Sequence, residues 1–177
     1  MAQINNQFKP ADYVAGANGM IFNAANQASQ LVTQGFATTY SGLCLSNPLT
    51  SAVNLAVMKV GLAVNANPAA AAVLGIMAAY AGPTGVTVGA AITPVPSKLG
   101  GSTGYGVVGA TATFPIAPSL IMPLQYVPTT AAEISPSLID IGGSVVLPPG
   151  AFAAICTIGG VTGTTGIFSW QWEEIPA

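Results

Sequence analysis

The run Gly166-Ile-Phe-Ser-Trp-Gln-Trp-Glu-Glu-Ile-Pro176 decides how the chain is read. Phe168, Trp170 and Trp172 recur at every second position, with Ser169, Gln171 and Glu173 between them. Successive side chains of a strand point to opposite faces. This period of two therefore marks a half-buried antiparallel strand whose three aromatics enter a core or an interface. Upstream, Ile139 to Leu147 and Ala151 to Thr157 are apolar runs separated by Pro148-Pro149-Gly150. Proline fixes φ and glycine accepts positive φ, so this triplet makes a turn between extended segments. The last third of the chain predicts an all-β shell and points to no catalytic site.

Composition narrows the function classes. The chain has 177 residues, the size of one domain. Three lysines and five acids are its only charged side chains, and there is no arginine or histidine. Charged residues are 5% of the chain, against about 25% in an ordinary soluble domain. With a net charge of −2, such a surface associates readily. A secreted or membrane protein is one explanation. The other is an exterior covered by copies of the chain itself or by a larger assembly, and the composition favours that one. The longest clean apolar run, Ala69 to Ala81, falls well short of the roughly 20 residues that cross a bilayer. The N-terminus has neither the basic nor the apolar region of a signal peptide, so synthesis in the cytoplasm without export by the general pathway is expected. Without export, Cys44 and Cys156 are expected as buried thiols rather than a disulfide.

Along the chain, residues 1–32 are rich in Asn, Gln and Ala, with isolated apolar anchors that include Phe8, Tyr13, Met20 and Phe22. They read as an extended N-terminal arm that orders on a partner, or as a disordered leader, with a short helix over 23–32 an option. Residues 33–177 read as the folded domain. Strands are expected at Phe36 to Tyr40, Leu43 to Ser46, Val53 to Asn65, Ala69 to Ala81, Val86 to Thr93 and Tyr105 to Ile116, before the closing strands. In Val53 to Asn65 the alternation puts Ala56, Met58, Val60, Leu62 and Val64 on one side and Lys59 on the other. Ala69 to Ala81 could be helical on alanine content, but it lacks a helical stripe, carries Gly75 mid-run and is flanked by strands. Pro115, Pro118 and Pro123 confine Ile116 to Tyr126 to an edge position. Eight or nine strands spaced by turns make a β-sandwich or barrel.

Most chemistry is excluded by residue type. Without histidine there is no imidazole base and no Ser/His triad, and two cysteines alone cannot hold a structural zinc. Glu173 and Glu174 are adjacent on a strand and point apart, so they cannot serve one sugar as a carboxylate pair. Three lysines without arginine leave no electrostatic capture of nucleic acid. No enzyme, cofactor or metal is expected. Trp170, Trp172, Tyr105 and Tyr126 could stack on sugar rings if exposed, although tryptophans alternating on one strand are more often core or subunit interface.

The strand Asn47-Pro-Leu-Thr…Asn54-Leu-Ala-Val-Met-Lys-Val-Gly-Leu-Ala-Val, the segment Val-Val-Leu-Pro-Pro-Gly-Ala-Phe and the closing Phe-Ser-Trp-Gln-Trp-Glu-Glu-Ile-Pro together resemble small jelly-roll structural proteins of tailed phages. The likeness covers about Tyr40 to Pro176 and is nearest to proteins that decorate or cement the capsid, commonly as trimers. It implies a single β-sandwich of jelly-roll type, a place on the capsid surface of the virion, no catalysis, a homotrimer, and contact with the major capsid protein rather than nucleic acid or membrane. The interface candidates are then Phe8, Tyr13, Met20, Phe22, Trp170 and Trp172. A receptor- or glycan-binding tip of a phage fibre or adhesin, and a single-jelly-roll major shell protein, are the alternatives.

Overall fold

The computed structural model describes residues 11–66, 68–129, 135–159 and 164–177. They form two antiparallel sheets packed face to face. Sheet A runs β10 (Ser137–Leu147), β4 (Val53–Ala66), β12 (Thr165–Pro176), β1 (Ile21–Ala25) and β7 (Val95–Pro96), and β2 (Gln30–Leu31) pairs with the start of β12. Sheet B runs β6 (Thr87–Ile92), β8 (Val107–Thr113), β3 (Thr39–Ser46), β11 (Ala151–Ile158), β5 (Ala72–Tyr80) and β9 (Ser119–Val127). A short helix α1 (Ala11–Ala17) precedes β1. The architecture is an all-β sandwich.

β12 is the centre of sheet A, between β4 and β1, and it keeps its period of two throughout. Phe168, Trp170 and Trp172 are fully buried between the sheets, against Leu55, Val57, Val60 and Leu62 of β4 and against Leu43, Leu74 and Ile155 of sheet B. β4 departs from the expected alternation. Lys59 faces Gln171 and Val57 faces Trp172, so Met58 is one residue more than β12 offers. A bulge of this kind reverses which side chains face inward. Leu55 and Val57 before it therefore share the core with Val60 and Leu62 after it, and Met58 is only half-buried. The other neighbour yields at the same place. Between Asp140, which faces Lys59, and Val145, which faces Val57, β10 inserts a loop closed by Ser144 Oγ donating to Ile141 O at 2.8 Å. Gly142 and Gly143 take φ of 58° and 75° there.

Residues 11–32 differ from the expected arm. β1 pairs with β12 over five residues, from Ile21 opposite Glu173 to Ala25 opposite Ser169. Phe22 is buried, its ring stacked on Trp172 at 6.0 Å. Buried Asn26 locks the exit of β1, accepting from Phe168 N–H at 2.5 Å and donating to Gly166 O at 2.9 Å. The possible helix over 23–32 gives way to β1 and β2 because the open edge of β12 supplies backbone partners that an isolated short helix lacks. The domain thus takes in at least residue 11 onward, not 33. Residues 1–10, including Phe8, lie outside the described residues.

Ala72–Tyr80 is a strand, as its missing helical stripe implied. Its Gly75 has a packing reason. A Cβ there would lie 2.8 Å from both Leu120 Cδ1 and Met122 O, so only glycine lets β9 approach β5. Pro148-Pro149-Gly150 forms the expected turn, with Ala151 N–H donating to Pro148 O at 3.0 Å and Gly150 at φ 88°. It is a corner between sheets rather than a hairpin, since β10 belongs to sheet A and β11 to sheet B. Buried Asn47 braces that corner, its Nδ2 donating to Val53 O at 2.8 Å and Leu147 O at 2.9 Å.

The central strands of sheet B, β3, β11 and β5, are buried on both faces, while β6 and β9 at its edges are largely exposed. On the side away from sheet A, Tyr40, Phe114 and Phe152 form a row with ring separations of 5.3 and 4.2 Å, beside Cys44, Cys156 and Met77. Ala81 and Val86, from the connection between β5 and β6, pack against it. Tyr40 Oη donates to Ile155 O at 2.6 Å. Both cysteines are free and buried. Burial pushes the Cys156 thiol up to about 11 and raises Cys44 and Tyr40 further above their ordinary values. The protonated forms are the ones the fold accommodates, so this stability is complete below the unfolded thiol value of 9.0 and is lost as pH rises through the folded value. Unfolding midpoints in urea are expected to hold steady from neutral pH to about 8 and then fall. Cys156 alone is expected to contribute about 2 kcal/mol of loss by pH 11. A midpoint that stays flat to pH 11 contradicts the assignment.

Candidate assembly surface

The few charges are unevenly placed. Asp12 is on α1, Lys59 on β4, Lys98 in the loop leaving β7, Asp140 on β10, and Glu173 and Glu174 on β12. All six belong to sheet A or to segments attached to it. The strands of sheet B carry no charged side chain at all.

The uncharged half ends in an apolar groove. β9 is the edge of sheet B and β10 the edge of sheet A, and the two edges meet on one flank of the sandwich, where Ser137 Oγ donates to Gln125 Oε1 at 3.1 Å. Tyr80, Ile121, Met122, Val146, Leu147 and Pro148 line a groove of about 520 Å³ there. Tyr80 is 59% exposed, and Ile121 and Val146 are about half exposed. Leu120 and Tyr126 extend the exposed apolar surface along β9.

β9 has the edge position that its prolines required, and it is a poor template for adding another strand. Its register against β5 shifts twice, at Ile121 and at Leu124, and Pro123 has no N–H to offer. Bulges and proline are the means by which edges avoid open-ended pairing. What the flank offers a partner is side chains, not backbone.

The sequence-derived interface residues fall elsewhere. Phe22, Trp170 and Trp172 are buried in the chain's own core. Tyr13 is exposed on α1, and Met20 is half-buried just before β1. Tyr105 and Tyr126 are exposed but sit on separate elements. The groove residues escaped notice because Tyr80, Ile121 and Val146 lie in runs that are apolar on both faces, where periodicity does not mark an outer side.

Glu174 is a second unrecognised feature. It follows Trp172 on the inward face and is buried. Its Oε1 accepts from Tyr105 N–H at 2.7 Å, Gly106 N–H at 3.0 Å and Trp172 Nε1–H at 3.3 Å. Gly104 and Gly106 make this possible. A Cβ on Gly104 would meet the carboxylate, and one on Gly106 the indole of Trp172. The carboxylate ties the loop before β8 to β12 and closes one end of the core. Among the described residues no group of three potential metal ligands comes together, and no helix is long and apolar enough to cross a membrane.

No protein-family model, curated protein or solved structure matches the chain.

Proposed function

We propose that this chain is a non-enzymatic structural protein of jelly-roll type that decorates or cements a phage capsid as a homotrimer. The observation that carries the reading is the segregation of charge: a sheet without a charged side chain, flanked by an exposed apolar groove, opposite a sheet that together with its attached segments holds every described charge. Uncharged surface with protruding Tyr80, Ile121 and Tyr126 suits burial against another protein, and aromatic anchors in a groove dominate such contacts. The topology agrees with a jelly roll in one respect. From β9 to β12 each successive strand changes sheet, as do β3, β4 and β5. The one described ion pair, Lys59 Nζ to Asp12 Oδ2 at 3.3 Å, is partly exposed and adds little to stability. Assembly through neutral surface is correspondingly insensitive to salt.

Light scattering of the full-length protein at micromolar concentration is expected to give the mass of three chains, unchanged between low and molar salt. Ile121→Asp places a charge in the groove and is expected to raise the dissociation constant roughly tenfold or more, the effect of one buried anchor. A wild-type monomer under these conditions overturns the oligomer. Immunogold labelling of virions with antiserum against the purified protein tests the location. Label over capsid shells is expected, and label confined to tail tips supports the fibre-tip alternative instead.

A further inference from the structure

The tryptophans are sealed in the core, yet the opposite face of the strand that carries them borders a polar hollow. We propose that the outer face of sheet A is a binding site for a neutral saccharide. The hollow has a volume of about 490 Å³, within the range of small-ligand sites. Its shape follows from two rows of residues running across the sheet. In one row Leu138 faces Gly61, Gly61 faces Ser169, and Ser169 faces Ala25. Three small residues in succession make a low floor. A Cβ on Gly61 would meet Ser169 Oγ, so a larger residue there would turn that hydroxyl out of its present position. In the next row Asp140, Lys59, Gln171, Asn23 and Val95 follow one another across five strands. Leu138 and Val95, 69% and 48% exposed, stand as apolar walls.

The polar groups of this floor are held in place but not used up. Gln171 Nε2 donates to Asn23 Oδ1 at 2.9 Å, and Asn23 Nδ2 donates to Ser97 Oγ at 2.9 Å. That chain orients both amides. Gln171 Oε1 and the hydroxyls of Ser169 and Thr93 have no partner among the described residues, and Lys59 has N–H groups beyond the one directed at Asp12. The free groups therefore mix acceptors with donors. Strands about 4.8 Å apart present them at a spacing comparable to that of alternate ring hydroxyls.

Charge selects the ligand class. Asp12 neutralises Lys59 at 3.3 Å, and Asp140 faces the same lysine across the sheet. Lys59 is the one charged side chain in the lining of the hollow, so an anion meets no uncompensated positive charge there, and the acids of this face, Asp12, Asp140 and Glu173, lie outside the lining. A purely apolar ligand would leave the amides and hydroxyls unmatched, which is costly. A saccharide has hydroxyls for the floor and C–H faces for Leu138 and Val95. This inference does not depend on the oligomer or on the capsid.

The test uses the full-length protein, first on an array of neutral and sialylated glycans and then by NMR titration with the best neutral disaccharide. At least one neutral glycan is expected to bind and to shift the side-chain amide resonances of Asn23 and Gln171. Gln171→Ala and Ser169→Leu, both on the outer face, are each expected to weaken binding at least tenfold while thermal midpoints change little. If one variant unfolds, the other still decides the matter. No binding to any neutral glycan, binding confined to sialylated glycans, or binding that survives the folded variants overturns the proposal.

Discussion

Trp172→Ala is expected to lower the free energy of unfolding by about 3–5 kcal/mol, the largest loss from any single truncation in the protein. The indole is completely buried, stacked on Phe22 and in contact with Gly106, so its removal leaves a cavity bordered by both sheets and the loop before β8. Because Gly106 has no side chain to swing inward, the cavity has little means of collapse. The variant also takes one of the three donors from Glu174 Oε1. For a domain of this size the melting temperature is expected to fall on the order of 10 °C. Urea titration with an unchanged slope separates this loss from a change in the unfolded state. A loss below 1 kcal/mol would mean that the indole is not enclosed by its own chain, and would return it to the list of interface residues.

Glu174→Ala is expected to cost about 3 kcal/mol, because it leaves the Tyr105 and Gly106 N–H groups without an acceptor at the end of the core. Glu174→Gln keeps an oxygen at that position and loses only the charge-assisted part of the bonds, so a cost of about 1 kcal/mol is expected. The ordering is the informative quantity. A carboxylate that merely faced solvent would give two small and equal effects. The loop it holds should respond first, and amide exchange at Tyr105 and Gly106 is expected to accelerate in the alanine variant before exchange in β12 changes.

Together these variants separate two ways in which an uncharged chain can be stable. The core of β12 is internal, so its variants should unfold the monomer unit. The groove at Tyr80 and Ile121 is external, so Ile121→Asp should change mass without changing the fold. Should Trp172→Ala and Ile121→Asp have the same effect, folding and assembly would be one event, as in obligate oligomers.

Much of the fold was legible in local pattern. The inward row of Phe168, Trp170 and Trp172, the turn at Pro148-Pro149-Gly150, the extended state of Ala72–Tyr80 and the edge position of Ser119–Val127 follow from side-chain period, fixed φ and missing N–H groups. These are properties of a few consecutive residues. The candidate surface was much less legible. Tyr80, Ile121 and Val146 differ from buried neighbours only in what lies over them, and three of the residues expected at an interface are covered by their own chain.

What the sequence by itself determined is therefore the kind of element along most of the chain and the all-β class. Alternation, proline and glycine act within a single strand or turn and need no knowledge of the rest. The tertiary structure alone decided which face of each element is covered. Met58 is extra only with respect to β12, and β10 answers it with a loop of its own, so the reversal it imposes on β4 has no local signature. Ile21–Ala25 becomes a strand because β12 has an open edge beside it, and the middle of sheet B is buried on its second face because other segments of the chain pack there. The same holds for Glu174. Alternation places it inward, but the two glycines and two N–H groups that accept a carboxylate there lie about seventy positions away in the chain. Covering a face requires residues distant in sequence, and no local period records where they will be.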